Sequence, residues 1–135
     1  PTTQSSPNLV FFENHILLST MVSGTRVFGA LDTGAETTDL NSNFASQFAE
    51  LGRAGKRDST AVAGAGGTAT IESITVPEVM FDIGGIPAAL RPAHVTLQRN
   101  SAMGGRCCIG NVGLDLLLQR GALTIDFATM TLSLR

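Results

Sequence analysis

The residues with the clearest chemical potential in this chain are Asp32, Thr33 and Gly34, which end the apolar run Val27-Phe28-Gly29-Ala30-Leu31. A carboxylate at the end of a hydrophobic strand costs free energy unless it is hydrogen-bonded, paired or put to chemical use. The residues after it suit a tight turn. Thr33 can hydrogen-bond locally, and Gly34 allows another backbone to approach closely. Such a carboxylate can serve as a general acid or base. The plainer alternative is a turn carboxylate that caps nearby amides.

Other candidate groups are weaker. His15 and His94 are far apart and lack the Cys/His/Asp spacing of a zinc site. Ser42 and Ser101 have no companion histidine motif for nucleophilic catalysis. Gly64-Ala65-Gly66-Gly67 has neither the lysine nor the strand-to-helix setting of a phosphate loop. Cys107 and Cys108 are adjacent, a spacing that seldom permits a mutual bridge, and read as two small buried thiols on a strand. No cofactor is implied.

The elements that must position these residues are mostly strands. Residues 1–8 read as a flexible lead-in, and residues 9–135 as one domain. Strands are expected over Leu9–Phe12 and Ile16–Val22, turning at Glu13-Asn14. After Ser23-Gly24, Thr25–Leu31 delivers Asp32. Asn41-Ser42 suits a helix N-cap, Phe44, Phe48 and Leu51 share one helical face, and Gly52 stands where a C-cap glycine belongs. Arg53–Asp58 reads as a charged loop. Strands follow at Ser59–Ala63, Thr68–Val76, Val79–Ile83, Ile86–Leu90, His94–Leu97 and Arg106–Ile109. A short helix over Leu114–Leu118 precedes a closing hairpin, Leu123–Phe127 with Thr131–Leu134.

Composition sets the limits. The 135 residues are 43% hydrophobic and 15% charged, enough apolar content for a packed core. A net charge of −2 without a basic run argues against a nucleic-acid partner. No apolar stretch reaches the roughly 20 residues of a membrane helix. A chain that opens on Pro1 reads as a processed product or an excised domain, which leaves compartment and any removed anchor open.

Three segments in order resemble landmarks of the retropepsins, the single-domain aspartic proteases. Asp32-Thr33-Gly34-Ala35-Glu36-Thr37-Thr38 resembles the catalytic loop, and Gly64–Gly67 at a hairpin tip resembles the substrate-covering flap. Gly110-Asn111-Val112-Gly113-Leu114-Asp115-Leu116-Leu117 resembles the strand-to-helix element behind the active-site loop. The resemblance implies an all-β, retropepsin-like acid protease fold: a small closed antiparallel barrel with one or two short helices and a flap hairpin. It also implies an aspartic endopeptidase that uses water and two carboxylates. Two acids about 3 Å apart cannot both ionise, so one proton belongs to the pair. Only one such motif is present and the chain is too short for two lobes. The partner acid must then come from a second copy in a homodimer, or from a like domain of a parent chain.

The resemblance assigns roles by residue. Asp32 serves as acid and base, the Thr33 hydroxyl bonds across the dimer, and the Gly34 backbone accepts a substrate amide. Ala35 and Glu36 line a cleft for an extended peptide, and Gly64, Ala65, Gly66 and Gly67 form the mobile flap. Asp115 is assigned a structural bond to the back of the loop. Departures from the family pattern are also visible. Leu114 stands where the retroviral enzymes carry an arginine partner for Glu36, so Glu36 is expected to be solvated. Asp39 occupies a usually apolar place near a substrate pocket, implying either a solvent-facing side chain or a pocket that favours basic groups. Asn111 replaces an aliphatic residue, and the strand Thr131–Leu134 extends beyond the retroviral end point, suggesting a self-contained terminal hairpin. Two alternatives accompany the protease reading: a catalytically silent peptide-binding or assembly domain, and a protease switched on only by concentration or a tether.

Overall fold

Asp32 ends a strand in the middle of a long mixed sheet, and the connections of that sheet decide what surrounds it. The computed structural model describes residues 6–97 and 107–135. In chain order the first elements are strands β1 (Leu9–Phe12), β2 (His15–Val22), β3 (Thr25–Leu31) and β4 (Asp39–Leu40), then helices α1 (Ser42–Gln47) and α2 (Ala49–Arg53). Strands β5 (Lys56–Gly64), β6 (Gly67–Val76), β7 (Val79–Ile83), β8 (Ile86–Leu90), β9 (Ala93–Thr96) and β10 (Gly110–Val112) follow. Helix α3 (Leu114–Leu117) and strands β11 (Leu123–Asp126) and β12 (Thr131–Leu134) complete the described elements.

Ten strands form one sheet in the order β5-β6-β9-β4-β10-β3-β2-β7-β8, with β1 paired to β2; β11 and β12 form a separate two-stranded sheet. The closed antiparallel barrel expected from the sequence is therefore not what forms. The sheet is open and mixed, because β10 inserts between β3 and β4, parallel to β3 and antiparallel to β4, and β4 runs parallel to β9. Local strand patterns report hairpins between neighbours in sequence; they carry no trace of a strand arriving from some 80 residues downstream. Helices among the described residues number three rather than one or two.

Several boundaries shift for local reasons. Asn41 caps α1 as expected, its side chain accepting from the Asn43 and Phe44 amides. Phe48 leaves helical geometry, so the helical stretch divides there, and Gly52 lies inside α2 rather than capping it. The tight approach falls instead at Gly55, where a Cβ would sit 2.4 Å from Ile74 Cγ2. β5 starts at Lys56, so the expected charged loop is half strand. Asn8, expected to belong to the lead-in, is buried and clamps β12: its Nδ2 donates to the Leu132 carbonyl at 2.9 Å and its Oδ1 accepts from the Leu132 amide at 2.7 Å. Cys107 and Cys108 are joined in a disulfide, not free thiols, and precede β10 instead of lying on a strand. The expected Arg106–Ile109 strand falls partly outside the described residues; Ser101 and the loop expected over Asn100–Gly105 fall wholly outside them. Among the described residues no helix is long and apolar enough to cross a membrane.

A smaller buried cluster of Leu17, Ala30 and Cys108 lies on one face of the central strands, and the main core lies on the other. Leu18, Leu40, Val95, Val112 and Ile74 pack there with Phe44, Leu116 and Leu117. Phe44 and Phe48 pack with their rings tilted and centroids 4.9 Å apart, closing the α1 side. Leu40 is wholly buried, so Leu40→Ala is expected to destabilise the domain by about 2–5 kcal/mol in urea unfolding, through lost burial and the cavity left behind.

Candidate active site

The site is built by three elements meeting at one end of the sheet. β3 brings Asp32 to the surface, and the Asp32 amide donates to the Val112 carbonyl at 3.0 Å, extending the parallel ladder one step past the strand. The chain then turns back on itself. The Gly34 amide donates to Asp32 Oδ1 at 3.1 Å, orienting the carboxylate, and the Ala35 amide donates to the Asp32 carbonyl at 3.3 Å. This is an Asx-type turn, in which a short acidic side chain replaces a backbone acceptor.

β10 and α3 hold the turn from behind. The Leu114 amide donates to the Ala35 carbonyl at 2.9 Å, and the Asp115 amide to the Glu36 carbonyl at 3.0 Å. Thr38, only 3% exposed, donates its hydroxyl to Asp115 Oδ1 at 2.6 Å and accepts from the Gly113 amide at 2.9 Å. Its own amide also donates to Asp115 Oδ1, at 2.9 Å. Asp115 thus binds the back of the loop, as the sequence implied. The contact is close enough to require glycine: a Cβ on Gly113 would lie 2.6 Å from the Thr37 carbonyl oxygen and 2.9 Å from that of Ala35. Gly110 meets a similar demand, with φ +147° and the Asp39 carbonyl oxygen 2.1 Å from where a Cβ would stand.

The predicted site residues fall into two groups. Asp32 and Ala35 are half-buried, while Thr33, Gly34 and Glu36 are exposed, and all five share the loop. Around Gly34 the nearest atom to a would-be Cβ is Asp32 Oδ1 at 3.4 Å, so within one chain no backbone approaches it; the close approach is at Gly113. Glu36 is solvent-exposed. Gly64, Ala65, Gly66 and Gly67 form the tip of the β5–β6 hairpin and are exposed, with φ +114° at Gly67. No hydrogen bond among the described residues joins that tip to the Asp32 loop, and β6 lies four strands from β3.

Thr38 is the residue that pattern reading passes over. It belongs to the loop motif, yet nothing local gives it a role, because its partners Gly113 and Asp115 lie about 75 residues away. Ionic partners are scarce: the ion pair among the described residues is Arg91 with Glu78, well away from Asp32. No group of three or more His, Cys, Asp or Glu among the described residues could hold a metal ion.

A half-buried carboxylate on a glycine turn, clamped from behind by a strand-to-helix element, is the arrangement of a retropepsin-like fold, and this chain has that fold. The crystal structure of the retroviral protease-like domain of Ddi1 from Leishmania major matches it with a TM-score of 0.59 and 17% identity, over 89% of this chain and 87% of that one. No family model and no curated protein matches the sequence.

The clamp has a measurable cost of removal. Thr38→Val keeps the shape but leaves the Gly113 amide without its acceptor and Asp115 without its hydroxyl donor. It is expected to lower unfolding free energy by about 1–3 kcal/mol by chemical denaturation; an unchanged midpoint would mean the loop is held by its backbone bonds alone.

Proposed function

We propose that the chain is an aspartic endopeptidase in which Asp32 residues of two copies share one proton and activate a water molecule against a peptide bond. The observation that carries this reading is the state of Asp32: half-buried, oriented by the Gly34 amide, and on a loop fixed from behind by Thr38 and Asp115. A carboxylate held this rigidly, with no cation beside it among the described residues, is arranged for a reacting atom more than for stability. One carboxylate takes a proton from water as the other polarises the scissile carbonyl, then returns a proton to the leaving amine.

The remaining roles follow from placement. Thr33 is exposed beside Asp32 and is free to bond across a two-fold axis. The Gly34 backbone, with Ala35 and Glu36, would line an extended peptide in strand fashion. Gly64–Gly67 would close over that peptide, since the hairpin tip is exposed and a Cβ at Gly64, Gly66 or Gly67 would meet only open space. The unit of activity would be a single retropepsin-like domain over residues 9–135, preceded by residues 1–8, paired with its copy or with a like domain of a parent chain. Peptide or protein is the substrate, and neither cofactor nor nucleic acid takes part.

An exposed aromatic pair supports the dimer. Phe11 and Phe127 are 62% and 54% exposed and stack with centroids 6.5 Å apart. Phe11 pairs with Ile16, and the next residue, Leu17, pairs with Ala30, so the patch stands at the Asp32 end of the sheet. A two-fold that joins two Asp32 loops would cover this end.

Three outcomes test the proposal. Asp32→Asn is expected to abolish pepstatin-sensitive cleavage of an unstructured protein at acidic pH while leaving the circular dichroism spectrum unchanged; retained cleavage would falsify the mechanism. Specific activity of the wild-type protein should climb with concentration until the dimer saturates. Phe127→Asp should move that climb to higher concentration by about tenfold or more, the cost of burying an unpaired charge in the interface, read by sedimentation on the same samples. A protein that binds the peptide without cutting it under any of these conditions would instead be the silent binding domain.

A further inference from the structure

We propose that Asp39 selects a cationic side chain, lysine or arginine, in the extended peptide held against the Asp32 loop. The inference rests on the peptide-handling reading above and adds the class of substrate it favours. Registered pairs run straight across five strands: Thr75 opposes His94, His94 opposes Asp39, Asp39 opposes Asn111, and Asn111 opposes Ala30. Directly opposed residues project from one face of a sheet, and residues two apart on a strand do the same. Asp32 follows Ala30 by two and its amide continues the ladder, so its side chain leaves the sheet on the side of Asn111, Asp39 and His94.

The opposite face is core. Leu40, Val95 and Val112, one residue out of phase, are fully buried there, whereas Asp39, His94 and Asn111 are exposed. Two strands at about 4.8 Å and two residues at about 3.3 Å put Asp39 roughly 12 Å from Asp32. An extended peptide repeats its same-side side chains about every 7 Å, so a residue within two of the bond under attack can bring a lysine or arginine head group to Asp39.

Folding does not account for Asp39. Aspartate is disfavoured in strands, and here it occupies half of the two-residue β4. Its Oδ1 accepts from the Thr96 hydroxyl at 2.9 Å, which fixes the direction of the carboxylate without neutralising it. No ion pair among the described residues includes it. The neighbours that share its face, His94, Asn111 and Thr75, are polar as well, so the strip offers an apolar side chain nothing to bury against. A charge-assisted hydrogen bond from a substrate ammonium or guanidinium meets this surface on its own terms.

The test uses matched peptides that carry lysine, glutamine or glutamate at each position within three residues of the cleaved bond. Wild-type protein should cleave the best lysine peptide about fivefold more efficiently in kcat/KM than its glutamine counterpart, and the ratio should shrink at high salt. Asp39→Asn should bring the ratio to one, and Asp39→Lys should turn it toward the glutamate peptide. Equal use of lysine and glutamine by the wild type, or a ratio that survives Asp39→Asn, overturns the inference. Binding of the same fluorescent peptides to Asp32→Asn separates the two layers. If nothing is cut yet lysine peptides bind preferentially through Asp39, the hydrolytic reading fails and this one stands. If Asp32→Asn shows no charge preference, the inference fails whatever is cut.

Discussion

The hydrogen bonds among Thr38, Gly113 and Asp115 hold together segments that the chain keeps about 75 residues apart. Through them the β10–α3 element presses on the back of the turn after β3, and that pressure gives Asp32 a fixed place. Thr38 is buried, so each of its polar groups must find a partner inside the protein. Gly113 supplies one at a separation only glycine permits, with carbonyl oxygens of the turn within 3 Å of where a side chain would begin. β10 is itself held between β3 and β4 by backbone pairing, and the side-chain contact adds the tie between that strand and the turn after β3.

That central insertion also explains how one open sheet can present both a core and a reactive edge. On one face the apolar residues of β3, β4, β9 and β10 meet the helices; on the other the same strands carry Asp39, His94 and Asn111 into solvent. The alternation of a strand separates the two without any additional device. Asp32 inherits its outward direction from this alternation, and the glycine turn refines it. Chemistry and packing are therefore set by the same register, and a one-residue slip of β10 would exchange them.

The legible parts of the sequence were those in which cause and effect are neighbours. Val27–Leu31 announced a strand, Asn41 a helix cap, and Ser23-Gly24 a two-residue turn, now seen with both residues at positive φ. The Asp32 turn was legible because an acid, a hydroxyl and a glycine in that order have few uses after an apolar strand. The barrel was the wrong closure, since the parallel pairings of β10 with β3 and of β4 with β9 depend on contacts between distant segments. The disulfide between Cys107 and Cys108 went against the ordinary rule for neighbouring cysteines. Thr38 and Asn8 stayed hidden for the same reason as β10. Their partners lie far along the chain, and nothing in the flanking residues distinguishes a threonine or asparagine that will be buried from one that will not.

The two borders of the large sheet are finished very differently. On β8 the Gln119 side chain behaves as a surrogate strand, its Oε1 accepting from the Ala89 amide and its Nε2 donating back to the Ala89 carbonyl, and Pro87 removes one donor outright. β5, at the other border, carries Lys56, Arg57 and Asp58 near its base but no charge and no proline from Ser59 to Gly64. Natural sheets rely on such gatekeepers to discourage stray strand addition. Of these two borders, the one left open to fibre-like stacking is the β5–β6 arm, the same arm whose freedom the proposed catalytic cycle requires, so rigidity there and solubility there pull against each other.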